Sequence, residues 1–201
     1  PDNVFADGGA GDMGMGDENC LIQINGGYTV LDAQGDGVDS NGSVEITGGV
    51  LLVCGPTSNG DGAFDYDLTA TVTGGTVLTL GSNGMSPTFT TGEQPFAFAT
   101  VSGSAGQNVA VVDSDGTVVA SFTAAKQFGM VLATSPAFAE GGPYSLAIGG
   151  TVTGANADGY TDSGPAAGGS TTEIAASPTA SGGMGGRGAG GGGMPAGQGG
   201  H

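Results

Sequence analysis

Positive charge is almost missing from this chain. Lys126 and Arg187 stand against 19 acidic residues, the formal net charge is -17, and residues 1–125 contain no Lys or Arg. This balance argues against nucleic acid and anionic membrane surfaces as partners, because both are held by basic side chains. It also argues against uronide elimination. That reaction needs an Arg or Lys base beside a calcium-neutralised carboxylate, and neither basic residue lies in the repeated region described below. Tryptophan is absent and the single histidine is the terminal His201, so triads and zinc sites have no histidine to build on. A glycosidase would use two carboxylates flanking a cleft. The acidic residues here read as a stacked edge instead, with Tyr28 and Tyr66 the only tyrosines of that region and no aromatic platform. The expectation is a protein that is not an enzyme.

Long apolar runs are lacking too. A membrane helix takes about 20 apolar residues in succession. No run here comes near that, so no membrane insertion is expected, and no amphipathic helical stretch of any length is visible. Cysteine is limited to Cys20 and Cys54, which sit at different phases of the repeat; a disulfide and two buried thiols both stay open. No signal peptide is visible, and the chain starts at Pro1 without a Met, as a mature or trimmed product would. Scarce lysine with abundant Asp, Asn, Gly and Thr fits an exported, extracellular bacterial protein.

What the chain has in excess is glycine, 45 of 201 residues, without the G-X-Y period of collagen. Short runs of Val, Ile, Thr, Leu and Phe between the glycines predict an all-β fold rich in turns. The stretch from Asp36 to Gly75 organises these runs. Two acidic loops, GDGVDSNG and GDGAFDYD, are each followed by a β-branched run ending in a Gly-Gly turn. Aligned, they set Asp36 opposite Asp61, Asp39 opposite Asp65 and Asn41 opposite Asp67, at offsets of 25, 26 and 26 in sequence number. A repeat of that length made of strands and turns predicts one coil of a right-handed parallel β-helix. Stacked coils are about 4.8 Å apart, so the carboxylates would form a ladder. Each like-charge pair would repel by roughly 3 kcal/mol at an effective dielectric near 20. A cation seated between them would remove that cost. An all-oxygen set (Asp36, Asp39, Asn41, Asp61, Asp65 and Asp67) points to calcium. The bland alternative is an edge of Asp-Gly and Asn-Gly turns in water.

In chain order, residues 1–19 are an acidic, Gly-rich leader or a cap, with Asp12 and Asp17 extending the acidic edge. Residues 20–90 hold about three coils: Leu21 to about Gly42, Ser43 to about Asp67, and a third from near Leu68. Gly26-Gly27, Gly48-Gly49 and Gly74-Gly75 supply the positive φ of their corners. Residues 91–165 read as a small antiparallel β module. It has a hairpin at Ser114-Asp115-Gly116, further strands at Met130–Leu132 and Tyr144–Ile148, and Phe96, Phe98 and Phe122 as core. This module is expected to close off the C-terminal end of the coil stack. Residues 166–201 read as a low-complexity, Gly-rich tail that cannot bury a core.

The segment GDGVDSNGSVEITGGVLLVCGPTSNGDGAFDYD, with VTGGTVLTLGSNGM after it, resembles a family of secreted bacterial carbohydrate-binding-domain-containing proteins with a pectate-lyase-like parallel β-helix. The likeness continues through DSDGTVVASFTAAKQFGMVLATSP and GGPYSLAIGG, covering roughly Leu21 to Gly150. It implies calcium binding at Asp36, Asp39, Asp61, Asp65 and Asp67 and non-catalytic binding of acidic polysaccharide such as polygalacturonate. Two functions follow as expectations. One is a glycan-binding adhesin of the cell surface or matrix. The other is a structural subunit that self-associates end to end into an extracellular filament.

Overall fold

A computed structural model describes residues 16–179 of the chain. The expected leader up to residue 15, with Asp12, and the tail from residue 180 lie outside the described residues. Fourteen strands make up the fold, with no helix among the described residues. They are β1 (Leu21–Asp32), β2 (Val38–Ser40), β3 (Ser43–Cys54), β4 (Phe64–Tyr66), β5 (Ala70–Val72), β6 (Thr76–Gly81) and β7 (Thr91–Gly92). The series continues with β8 (Phe96–Gly103), β9 (Asn108–Val112), β10 (Val118–Thr123), β11 (Phe128–Thr134), β12 (Pro143–Val152), β13 (Ala166–Ala167) and β14 (Ser170–Ala175).

Three sheets arise. The first is mixed and seven-stranded, in the order β7-β5-β3-β6-β11-β8, with β1 also on β3. The second is antiparallel, in the order β10-β9-β12-β13, with β14 also on β12; the third is the parallel pair β2-β4. None closes on itself, and most strand pairings are antiparallel. Parallel pairing is confined to the strands before residue 93. There Leu21 pairs with Ser43, Val44 with Ala70, Val50 with Thr76 and Val38 with Phe64. The spacing that the sequence repeat implied is thus kept in the last three of these ladders, and the first is shorter.

The all-β class holds, but a β-helix of about three complete coils is not what the sheets present. After β6 the next hydrogen-bonding edge is taken by β11 running antiparallel, Met130 opposite Gly81 and Thr134 opposite Val77, and β8 continues from there. A further parallel coil would need that same edge. The antiparallel strands therefore extend the first sheet sideways as well as covering it, rather than only closing one end. Strand formation also runs further than composition implied, since β14 pairs with β12 from Ile148–Ser170 to Pro143–Ala175.

The centre of the first sheet, the second half of β3 and all of β6, is buried on both faces, which is why VLLVC in β3 reads as a continuous apolar run. One face, with Leu52, Leu78, Leu80 and Val131, meets Val109, Val111, Phe122, Leu146 and Ile148 of the second sheet. The other, with Ile46, Leu51, Val53, Val77 and Leu132, meets Val38, Phe64 and Tyr66 of the third sheet, together with Phe89 and Phe96. Phe64, Phe89 and Phe96 are joined edge to face with centroids 5.7 and 5.4 Å apart, a favoured ring geometry. The expected hairpin is present: Asp113 N–H donates to the Thr117 carbonyl, and Asp113 Oδ1 accepts from the Asp115 and Thr117 amides, both at 2.9 Å. Both cysteines are free thiols. Cys20 precedes β1, whereas Cys54 ends β3 beside Asp32, so they stand at opposite ends of the paired strands.

Candidate acidic edge

The candidate site grows from two three-residue strands. In β2 and β4 the period-2 alternation turns Val38, Ser40, Phe64 and Tyr66 inward and leaves Asp39 and Asp65 on the outer side. Parallel pairing then sets Asp39 directly in register with Asp65, about 4.8 Å away at the backbone. The third sheet is held in place from below by the buried Tyr66, whose hydroxyl donates to the Thr88 carbonyl.

Asp36 lies just before this pair. Its Oδ1 accepts a 2.6 Å hydrogen bond from the Gly62 amide, and the Gly37 amide donates to the Gly62 carbonyl at 3.0 Å. The residue level with Asp36 is therefore Gly62, not Asp61. Matching Asp36 to Asp61 by letter falls one position short of the spacing that the backbone keeps. Asp61 turns to its own loop instead, where Ser58 Oγ donates to its Oδ2 at 2.9 Å. At the other end, the Asp67 amide donates to the Ser40 carbonyl and the Leu68 amide to the Gly42 carbonyl, which sets Asn41 alongside Asp67. Both side chains are exposed. The Asp17 amide donates to the Asn41 carbonyl at 2.7 Å, so Asp17 does lie at this edge. Its carboxyl is held below the usual range by hydrogen bonds from Asn19.

Electrostatics joins four of the six candidates. Burial raises the Asp39 carboxyl above the usual carboxylate range, and the charges of Asp36 and Asp67 add to it. Asp65 is raised by burial first and then by Asp36, Asp39 and Asp67, against a lowering hydrogen bond from the Tyr66 backbone. Asp61 is not among the charges that act on either. The oxygen donors suit a hard cation in type, yet they are spread along a ladder. Among the described residues, no group of three or more His, Cys, Asp or Glu side chains is arranged to hold a metal ion.

The described residues contain a single basic side chain, Lys126, and it is committed elsewhere. Its Nζ lies 2.7 Å from Asp32 Oδ1 and donates to the Ala33 carbonyl, tying the β10–β11 connection to the end of β1. A second polar cluster was not legible in the sequence. Tyr28 donates to Asp158 Oδ2 at 2.9 Å, accepts from Asn156 Nδ2 at 2.8 Å, and meets Tyr160 edge to face at 5.7 Å. These contacts join opposite parts of the chain, so no local spacing could have shown them. Comparison with protein-family models, curated proteins and solved structures finds no match, and no family is shown for this chain.

Proposed function

We propose that this is a non-catalytic, extracellular, calcium-responsive scaffold protein whose acidic edge is neutralised by divalent cations and, through them, meets carboxylates of an acidic polysaccharide. The parallel ladders before residue 93 act in this reading as the rungs of a short β-helix. The observation that carries it is the register of Asp39 with Asp65, flanked by Asp36 and Asp67, with no basic side chain of the described residues left to compensate. Carboxylates raised by burial and by one another gain when a divalent ion replaces the missing positive charge. A chain of net charge -17 is repelled by polyuronate, so sugar binding in this reading requires the cation as a bridge. The ligand set becomes Asp36, Asp39, Asp65 and Asp67 with Asn41. Asp61 takes no part, because its carboxylate belongs to the Ser58 loop.

The test is thermal melting of the full chain in calcium and in chelator, with retention on calcium-loaded and sodium-loaded pectate gels. A higher melting temperature in calcium, and retention only on the calcium gel, support the reading. Equal melting in both media would leave the acidic edge as a set of solvated turns.

A second reading is favoured by a different feature. β1 uses only its β3 side for pairing among the described residues, which suits an assembly subunit that joins another copy end to end.

A further inference from the structure

The ends of the first sheet are not equivalent. The outer edge of β6 is occupied by β11 and that of β5 by β7, and the terminal β8 is bridged at Phe96 to Ser177, whereas the 12-residue β1 has no strand on its outer side among the described residues. A row of unpaired N–H and C=O groups of that length is a template for another extended chain. β1 also carries the three large apolar side chains that are most exposed among the described residues: Leu21 at 49 %, Tyr28 at 45 % and Val30 at 39 %. From Leu21 to Leu31 it has no charged residue, on a chain of net charge -17. Its one carboxylate, Asp32, is ion-paired with Lys126. β1 itself thus brings no uncompensated carboxylate to this edge, and the two beside it, Glu45 and Asp158, accept hydrogen bonds from its Gln23 and Tyr28.

The strand is also matched to itself. Gly26 and Gly27 stand at its centre, Gly27 at φ +90°, with equal arms before and after them. Leu21, Gln23 and Asn25 face outward on the first arm, and Tyr28, Val30 and Asp32 on the second. Ile22, Ile24, Thr29 and Leu31 are half-buried and inward. Turned end for end about the glycines, outward positions meet outward positions. Gln23 then faces Val30 of the second copy, Asn25 faces Tyr28, and Ile22 faces Leu31. A slip by one residue would set outward against inward side chains.

We propose that β1 is a homotypic docking edge that pairs antiparallel with β1 of a second copy about a two-fold axis at Gly26-Gly27. The inference rests on the end-to-end reading above and narrows it. A two-fold contact closes on itself, so β1 builds a pair, and a filament would need a second, different contact. An edge about 40 Å long and about 10 Å deep covers about 400 Å² per copy, at the low end of specific interfaces. The pairing is therefore a concentration-dependent equilibrium.

Sedimentation equilibrium of the full chain, from micromolar to millimolar, tests it. The expected result is a monomer–dimer equilibrium that Val30→Lys weakens about tenfold or more, with an unchanged far-UV spectrum and melting temperature. For the register, Gln23→Cys and Val30→Cys are made separately in a Cys20→Ser background and oxidised alone and mixed. A disulfide-linked dimer in the mixture, and in neither variant alone, supports the antiparallel pairing. Crosslinking of Val30→Cys with itself overturns that register. Self-association that Val30→Lys leaves untouched overturns β1 as the contact while the assembly reading stands. A monomer at every concentration overturns both. If deletion of residues 1–15 from that monomer then yields a dimer, the occupant of the edge is the chain's own leader.

Discussion

Replacing Asp39 by Asn is the sharpest probe of the acidic edge. The change keeps the side chain's shape and removes one of two charges on residues whose backbones the parallel pairing sets about 4.8 Å apart. At that separation two unit charges repel by about 1 kcal/mol in bulk water and about 3.5 kcal/mol at an effective dielectric of 20. Asp39 is exposed and Asp65 half-buried, so solvent screening places the relief near the lower figure, about 1 kcal/mol. In chelator, Asp39→Asn should therefore raise the melting temperature by about 2–4 °C for a domain of this size. Asp65→Asn should do the same, and the double variant should gain less than the sum, because either change alone removes the shared repulsion. In calcium the order should reverse, since the same substitution removes a ligand oxygen. Differential scanning calorimetry of the four proteins in both media gives the full cycle. Additive effects in chelator would refute the in-register repulsion. An unchanged order in calcium would refute the cation.

The raised carboxyls of Asp39 and Asp65 fix a pH dependence. Their protonated forms are favoured in the fold, so their ionisation costs stability as pH rises from about 4 through the raised values, and the cost is absent below that window. In chelator, the difference in denaturation midpoint between wild type and the Asp39→Asn, Asp65→Asn double variant should be present at neutral pH and vanish as pH falls through about 4; a constant difference would refute it. Gly49→Ala should destabilise by at least about 1–2 kcal/mol, because a left-handed residue (φ +88°) gains a Cβ placed 2.6 Å from the Gly26 carbonyl carbon and 2.8 Å from the Gly27 oxygen. Gly26→Ala, with nothing within 4 Å of its added Cβ, is the control and should change the urea midpoint little.

Some of this architecture was legible in residue order alone. Val38-Asp39-Ser40 and Phe64-Asp65-Tyr66 recur at the spacing of one repeat, and that was enough to foresee Asp39 beside Asp65, because pairing follows wherever two equivalent alternating segments bury the same face. The Asp113–Thr117 hairpin was legible for the same local reason: its turn chemistry lies within one short stretch of chain. Asp36 was misaligned because counting equates the two GDG loops by letter. The backbone instead sets Asp36 level with Gly62, to whose amide its carboxylate is bonded.

What no pattern of letters could supply was the choice of neighbour for each edge. Whether β6 is followed by another parallel coil or by β11 running the other way depends on contacts between segments distant in the chain, such as Gly81 and Met130. The sequence determined that the chain forms short strands with acidic turns and where their inward faces lie, since alternation and glycine act locally. Only the tertiary structure decided which strand covers which edge, and that β1 pairs on one side alone among the described residues, because that depends on strands meeting across the whole chain.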